Sequence, residues 1–419
     1  MRVRVLGAAR QVGRSALLVE EGRTRLLLDY GALQQGDPAF PLLVRPRDVD
    51  GVVLTHAHLD HSGGIPLLFS GSAAPRVLGT AMTKKLSELI INDFIKISGP
   101  KLPFDRLELK AMMRAYRDVP LGEAQRVGDL EVRFLYAGHI PGSAMVEIKG
   151  PSGSLLYTGD VNDRDTRLLR GLTPSALEAE LIVTESTYGQ TQHPSREEEE
   201  RKLVEFANEI VEGGGTLLIP SFAIARAQEI ALIFYHHRFK HSLAMDGMAL
   251  EVNKIFLEHP EFLDGASDLE KALKRVELVT SWEQRRRVVE EPGVIISPAG
   301  MLGGGAAVFY NQSVALDERN GIAIVSFQAN GTPGRTLLDK GLVLYRGRPK
   351  KILARLNRYY LSSHSDVDGL MRVLSAVRGA KLVLTVHGEE ASTVGLAQRV
   401  EQELGVSAVA PTAGETFSA

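Results

Sequence analysis

An apolar strand over residues 51–54 runs straight into Thr55-His56-Ala57-His58-Leu59-Asp60-His61. Buried imidazoles and carboxylates need partners, because an unpaired polar or charged group is costly away from water. Packing alone therefore does not account for three histidines and one aspartate within six positions at the end of a buried strand. Residues two apart on an extended segment share a face, so His56 and His58 can grip one ion together. Asp60 and His61 then sit in the following turn, aimed at a second position. The plain alternatives, a surface histidine cluster or a helix capped by Asp60, leave the place at a strand's end unexplained.

The pattern recurs. His139 follows the strand 130–136 in Ala137-Gly138-His139-Ile140-Pro141-Gly142-Ser143, and Asp160 ends Leu155-Leu156-Tyr157-Thr158-Gly159-Asp160. Alone, each is more simply a turn residue. Because each terminates an apolar strand, they can meet along one sheet rim. Imidazole nitrogen and carboxylate oxygen suit zinc or a similar transition metal. Two nitrogen-rich half-sets with a carboxylate able to bridge suit two ions better than one. The chain has no cysteine, which removes thiolate ligands, a cysteine nucleophile and a disulfide framework.

With 419 residues the chain is too long for one compact core, so two domains or a large insertion are expected. Short strands at 2–6, 15–20, 24–29 and 51–55 lead to a helix over 81–97, and strands return at 130–136, 144–149, 154–158 and 181–184. From 197 the texture changes to strands alternating with helices, the pattern of a parallel α/β unit. The acidic run 197–200 reads most simply as a solvated helix face. A net charge of −2, from 49 Lys+Arg against 51 Asp+Glu, excludes nucleic-acid binding by bulk charge. Such binding would need a local basic surface. No apolar run approaches the ~20 residues of a membrane span, and the N-terminal segment enters a strand without a signal-peptide core. A cytoplasmic protein without a membrane partner is expected.

The motif His56-Ala57-His58-Leu59-Asp60-His61, with the later His139 and Asp160, resembles the metallo-β-lactamase superfamily. The resemblance implies an αββα sandwich with a dinuclear zinc site at one edge of the sheets, two Zn2+ per chain. By this likeness His56, His58 and His139 hold the first ion, Asp60 and His61 the second, and Asp160 bridges. Asp29, ending Arg25-Leu26-Leu27-Leu28-Asp29, matches the superfamily's early aspartate, with a role in orienting ligand imidazoles. Fold alone does not give substrate. Glu185 in Val183-Thr184-Glu185, His364 in Ser362-Ser363-His364-Ser365-Asp366, and His387 in Thr385-Val386-His387-Gly388 resemble motifs A, B and C of the β-CASP subfamily. That subfamily processes nucleic acids and carries an inserted α/β domain. Domains are accordingly expected at 1–189 and 361–419 (metallo-β-lactamase) and 190–360 (the β-CASP insertion). Histidine at motif C resembles the RNA-cleaving branch and would complete the second ion's ligands. Motif B is closest to the 3′-end cleavage factor type, of a minimal archaeal kind.

The resemblance implies hydrolysis of an RNA phosphodiester, endonucleolytic or 5′→3′ exonucleolytic. Asp60 would orient the attacking hydroxide, His364 would protonate the leaving oxygen, and Glu185 would hold His364 protonated and in place. For RNA grip in an interdomain cleft, the glycine-rich 297–305 segment (Ser297, Gly300, Gly303) and the 330–336 segment (Gly331, Arg335) offer backbone N–H groups to a phosphate, or are simply tight turns. Neither is a Walker loop. Arg226 at a helix start is a further candidate. Arg285–Arg287 and Arg346, Arg348, Lys350 and Lys351 are basic stretches whose simpler reading is a solvated face. The competing readings are a small-substrate hydrolase of the same fold, which would not need Glu185 or His364, and a non-catalytic RNA-binding scaffold. A DNA nuclease is disfavoured by His387. A homodimer is expected by resemblance only.

Overall fold

In the computed structural model, which describes residues 1–34, 36–71, 74–174 and 177–418, the chain divides into two units. The first comprises Met1–Asp165, Arg170–Gln192 and Ser363–Ala419; the second comprises Thr166–Leu169 and His193–Ser362.

The first unit rests on two seven-stranded sheets. Side-chain alternation along each strand decides which layer a residue joins. On Thr24–Leu28, Leu26 and Leu28 enter the core between the sheets with Val53, Phe134 and Val183. Leu27 points the other way, to Ile91 and Phe94 of the helix Ala81–Ser98. On Leu181–Glu185, Leu181 and Val183 face the inter-sheet core. Ile182 packs outward against Leu370 and Leu374 of the helix Val367–Ser375 and Leu396 of the helix Glu390–Leu404. Each sheet is thus covered on its outer face by helices, which gives the expected αββα sandwich. Strands buried on both faces appear in sequence as near-continuous apolar runs.

Strand direction gathers the chemistry. Thr24–Leu28 and Gly51–Val53 are parallel neighbours. Leu181–Glu185 lies between Gly153–Tyr157 and Leu382–Val386, parallel to both. Leu130–Tyr136 is linked to Gly153–Tyr157 through Ala144–Gly150 by two antiparallel pairings, so it runs the same way. The carboxyl ends of these strands deliver Asp29, His56, His139, Asp160, Glu185 and His387, and such ends are where α/β proteins hold ligands.

The second unit is a six-stranded, all-parallel sheet in the order Glu277–Val279, Leu243–Asp246, Gly293–Ser297, Thr216–Pro220, Gly321–Ile324, Arg355–Arg358. One face packs on Leu203, Phe206, Ile210, Ile230 and Phe234, the other on Ala307, Tyr310, Val314 and Leu337, so helices cover both sides. Here the structure bears out the solvated reading for Glu197 and Glu198, which are exposed, and corrects it for Glu199 and Glu200. In the helix Arg196–Glu212, Glu199 and Glu200 fall at helical spacing with the core residues Leu203, Phe206, Ala207 and Ile210, and both are buried. Glu200 accepts from Arg167 Nη2 at 2.7 Å and lies 3.3 Å from His237 Nε2; Glu199 accepts the backbone N–H of Tyr360 at 2.9 Å. Among the described residues no helix is long and apolar enough to cross a membrane.

Candidate metal centre

Asp29 organises the rim from below. It is fully buried with φ +54° and accepts four hydrogen bonds: from the Thr55 N–H and hydroxyl, both at 2.8 Å, from Tyr157 at 2.9 Å, and from His61 Nδ1 at 2.7 Å. The Thr55 hydroxyl proton is committed to Asp29, so its oxygen accepts from His56 Nδ1 at 3.1 Å. His139 Nδ1 lies 2.7 Å from the Ser363 carbonyl, which can only accept. Each of these contacts places a proton on the outer nitrogen, so His56 and His139, both held below the usual imidazole range, turn a lone pair inward from Nε2, and His61 turns its Nε2 the same way.

Those lone pairs converge. His139 Nε2 is 3.2 Å from His58 Nδ1 and 3.7 Å from Asp160 Oδ2, and His56 Nε2 is 3.3 Å from Asp160 Oδ2. Beside this set, His61 Nε2 is 3.4 Å from both His387 Nε2 and Asp160 Oδ1, and His387 Nε2 is 3.1 Å from Asp60 Oδ2. His56, His58, His139 and Asp160 form one group able to hold an ion, and Asp60, His61 and His387 form another. The residues fit such ions on two counts. His56 Nε2 and Asp160 Oδ1 are buried with no hydrogen-bond partner, which no apolar core tolerates cheaply. The donors are imidazole nitrogens and carboxylate oxygens, the set a zinc-like cation takes.

Electrostatics sorts the imidazoles. Burial, reinforced by the neighbouring His56, pulls His58 down to about 3, so it is neutral and free to donate a lone pair. His139 is held well below the usual imidazole range by burial and by His364, and His56 is lowered by burial and by His61. For His61 and His387 burial works the same way but loses to the carboxylates. Asp160 and Asp29 raise the first, and Asp160 and Asp60 raise the second. Burial opposes ionisation of Asp160, yet His387, His61 and His56 keep it well below the carboxylate range.

Glu185 and His364 stand at the edge of the cluster. Glu185 accepts the Val161 N–H at 2.8 Å, and its two oxygens lie 3.0 and 2.9 Å from His364 Nδ1. Burial lowers an imidazole pKa, but the Glu185 charge and hydrogen bond outweigh it and carry His364 up to about 9. The His364 ring lies 4.5 Å from that of His139 and is 17% exposed, so it faces both the donor set and solvent.

The candidate RNA-contact residues lie in the second unit. Gln328 donates to the Gly300 carbonyl at 2.9 Å and the Gly334 N–H to the Met301 carbonyl at 3.0 Å, so the 297–305 and 330–336 segments touch. Gly300 is pressed on its neighbour, with an added Cβ only 3.0 Å from Phe222 N, whereas Gly303 faces open space. Ser297 is fully buried; Gly331 has φ +81°. Arg226 opens the helix Arg226–His236 and is buried, and Arg335 donates to Asp339 at 2.8 Å. Sequence reasoning missed Thr55, Tyr157 and the Ser363 carbonyl. Of these only Thr55, adjacent to His56, carried a local signal.

This geometry defines a family. The chain belongs to the metallo-β-lactamase superfamily, in its Beta-Casp branch. Residues 9–180 match the metallo-beta-lactamase superfamily, 227–337 the Beta-Casp domain, and 350–411 the domain described as Zn-dependent metallo-hydrolase RNA specificity domain. The chain is 37% identical to RNase aCSPSF2 of Saccharolobus solfataricus, over 99% of this chain and 85% of that protein. It is 34% identical to Probable RNase MJ4 of Methanocaldococcus jannaschii, over 99% of both, and 33% identical to Transcription termination factor FttA of the same organism, over 96% of this chain and 69% of that protein.

Proposed function

We propose that the chain is a zinc-dependent ribonuclease that hydrolyses RNA phosphodiester bonds with two ions per chain. The relatives named as ribonucleases support the reaction class, and the two adjoining donor groups support the ion count. The observation that carries the reading is the His364–Glu185 pair, 2.9 Å apart beside that donor set, which a passive metal site does not require.

In this reading His56, His58, His139 and Asp160 would hold one ion, and Asp60, His61 and His387, with Asp160 beside them, would hold the other. Bound there, the ions would supply Lewis acidity toward phosphoryl oxygens and would acidify a water toward neutral pH. Asp29 fixes the His61 ring through Nδ1 and, by way of Thr55, the His56 ring. Asp60, a quarter exposed, orients the nucleophile at the solvent side. His364 keeps its proton at neutral pH because Glu185 stabilises the imidazolium, and it gives that proton to the leaving oxygen. Arg226, the 297–305 segment and the 330–336 segment, with Gly331 and Arg335, contact the RNA. The sandwich spans 1–189 and 361–419 and the insertion 190–360. A cytoplasmic homodimer belongs to the same reading.

The test is one gel with 5′-labelled and 3′-labelled RNA, with and without a 5′ monophosphate. The wild type should cut, a chelator should stop it, and His364→Ala should lose about 10²–10⁴-fold in rate while retaining its metal. Full-rate cutting by His364→Ala would remove the general-acid assignment.

A further inference from the structure

On the second unit, cations are generally matched by acids: Arg201 with Glu205, Lys254 with Glu251, Lys271 with Asp268, Lys274 with Glu270, Arg287 with Glu277, Arg319 with Asp317. Among the described residues Arg238, Lys240, Arg275, Arg286, Lys340 and Arg358 have no such ion pair, and four more cations without one fall within six positions of one another. The strands Leu342–Tyr345 and Arg348–Lys351 form an antiparallel hairpin in the register Tyr345↔Arg348 and Leu342↔Lys351. Its Arg346, Arg348, Lys350 and Lys351 are all exposed, and none of them has an ion pair with a carboxylate among the described residues.

The cations are also ordered. Lys350 Nζ lies 4.6 Å and the Arg346 guanidinium 5.4 Å from the centre of the Tyr345 ring. The turn Arg346-Gly347 has φ +49° and +77°, positive at both positions as a type I′ hairpin turn requires. Asparagine or glycine favours the first of those positions and arginine does not. The hairpin is rooted rather than free: Val343 is buried, the Ile352 N–H donates to the Gly341 carbonyl at 3.0 Å, and Gln312 donates to the Leu344 carbonyl at 3.3 Å. A fixed hairpin thus carries a cation at its strained tip, three more along one strand and a half-buried aromatic ring between them, in a chain whose net charge is −2.

We propose that the hairpin 342–351 is a docking site for single-stranded RNA. Arg346, Arg348, Lys350 and Lys351 neutralise successive phosphates, and Tyr345 gathers the cation heads and offers its face to a base. This rests on the ribonuclease reading for the choice of RNA. A backbone-tracking row of cations with an interleaved aromatic is the chemistry that single strands need, since every base has a π-face and every linkage a charge.

The test compares R346Q/R348Q/K350Q/K351Q, Tyr345→Ala and Tyr345→Phe with the parent, all in the His364→Ala background. Binding of a labelled 20-nucleotide oligouridine is read by fluorescence anisotropy across a potassium chloride series, with the RNA checked for integrity on a gel. The quadruple variant should bind about tenfold more weakly and lose about 2 to 3 from the magnitude of the salt slope, near 0.7 per phosphate contact. Tyr345→Ala should bind about fivefold more weakly and Tyr345→Phe like the parent. The same hairpin substitutions in the active protein should hydrolyse bis(p-nitrophenyl) phosphate at the unsubstituted rate. RNA affinity within twofold of the parent with an unchanged slope overturns the proposal. So does loss of binding to phosphatidylglycerol vesicles with RNA binding intact, which would assign the hairpin to an anionic membrane surface. A protein that binds RNA through the hairpin yet hydrolyses no phosphodiester would instead refute the ribonuclease reading.

Discussion

Asp160 follows the carboxyl end of a strand that has a parallel neighbour, Asp246 closes the carboxyl end of another, and they are 3% and 1% exposed. Their surroundings differ. Asp246 is answered by the protein itself: Arg285 Nη2 donates to it at 2.9 Å and the Tyr310 hydroxyl at 2.6 Å. Burial and that carboxylate together push the Tyr310 hydroxyl far above its usual range, so it stays a donor. Asp160 faces imidazoles, and its Oδ1 has no hydrogen-bond donor. A buried carboxylate satisfied by the protein is structural, whereas one set among imidazoles with an oxygen left unpartnered is able to take a cation. Two sheet rims of the same kind are thereby distinguished by whether the chain completes its own charge balance.

The comparison predicts that the two aspartates respond oppositely to the same substitution. Asp160→Asn should lower RNA cleavage by more than the ~100-fold typical of an outer partner, with metal content reduced and stability changed by no more than about 1 kcal/mol. A normal rate in this variant would break the comparison outright. Asp29 touches the donor set only through the His61 ring and Thr55, so on the proposed reading Asp29→Asn should cost about 10–100-fold in metal affinity, read by competition with a chelating dye. Asp246→Asn should leave metal content and cleavage per folded molecule alone and destabilise by about 2 kcal/mol in urea unfolding, since it removes one partner of a buried, hydrogen-bonded pair. Unchanged stability there would mean that the Arg285–Tyr310 arrangement contributes nothing.

The smallest expected effect concerns protons. In metal-free protein the His364 imidazole should titrate near pH 9 by NMR, and Glu185→Gln should bring it down, because burial then acts without its counter-charge. The sign follows from linkage. A folded-state pKa above the ordinary 6.5 means that the imidazolium contributes stability fully below pH 6.5 and loses it as pH rises through about 9. Loading ions beside it should lower the midpoint, since like charges oppose protonation. A midpoint near 6.5 in the metal-free wild type would detach His364 from Glu185.

What was legible in the sequence was the repeated motif of an apolar strand ending in a histidine or carboxylate. Both halves of that signal are local: the apolar run marks a strand buried on both faces, and the residue after it marks the rim. The parallel α/β insertion follows from the alternation of strand and helix periodicities, whereas the αββα layering came from the resemblance of the His56–His61 motif to a known superfamily. What was not legible depends on distant partners. Nothing near Asp246 announces Arg285, 39 residues on, or Tyr310, 64 residues on. Glu199 and Glu200 read as solvated because their run is charged, yet their spacing from Leu203 and Phe206 already placed them on the core stripe. The hydroxyl of Tyr157 serves Asp29 from a position whose sequence signature is that of an ordinary strand end.

The central claim is that side chains from Asp29 to His387 assemble a site completed by cations. Inductively coupled plasma mass spectrometry on purified wild type and Asp160→Asn, each equilibrated with excess zinc and then desalted, tests it most directly. The account predicts close to two zinc ions per wild-type chain and markedly fewer in the variant. A wild-type chain that retains none, or a variant that retains as many, would contradict it.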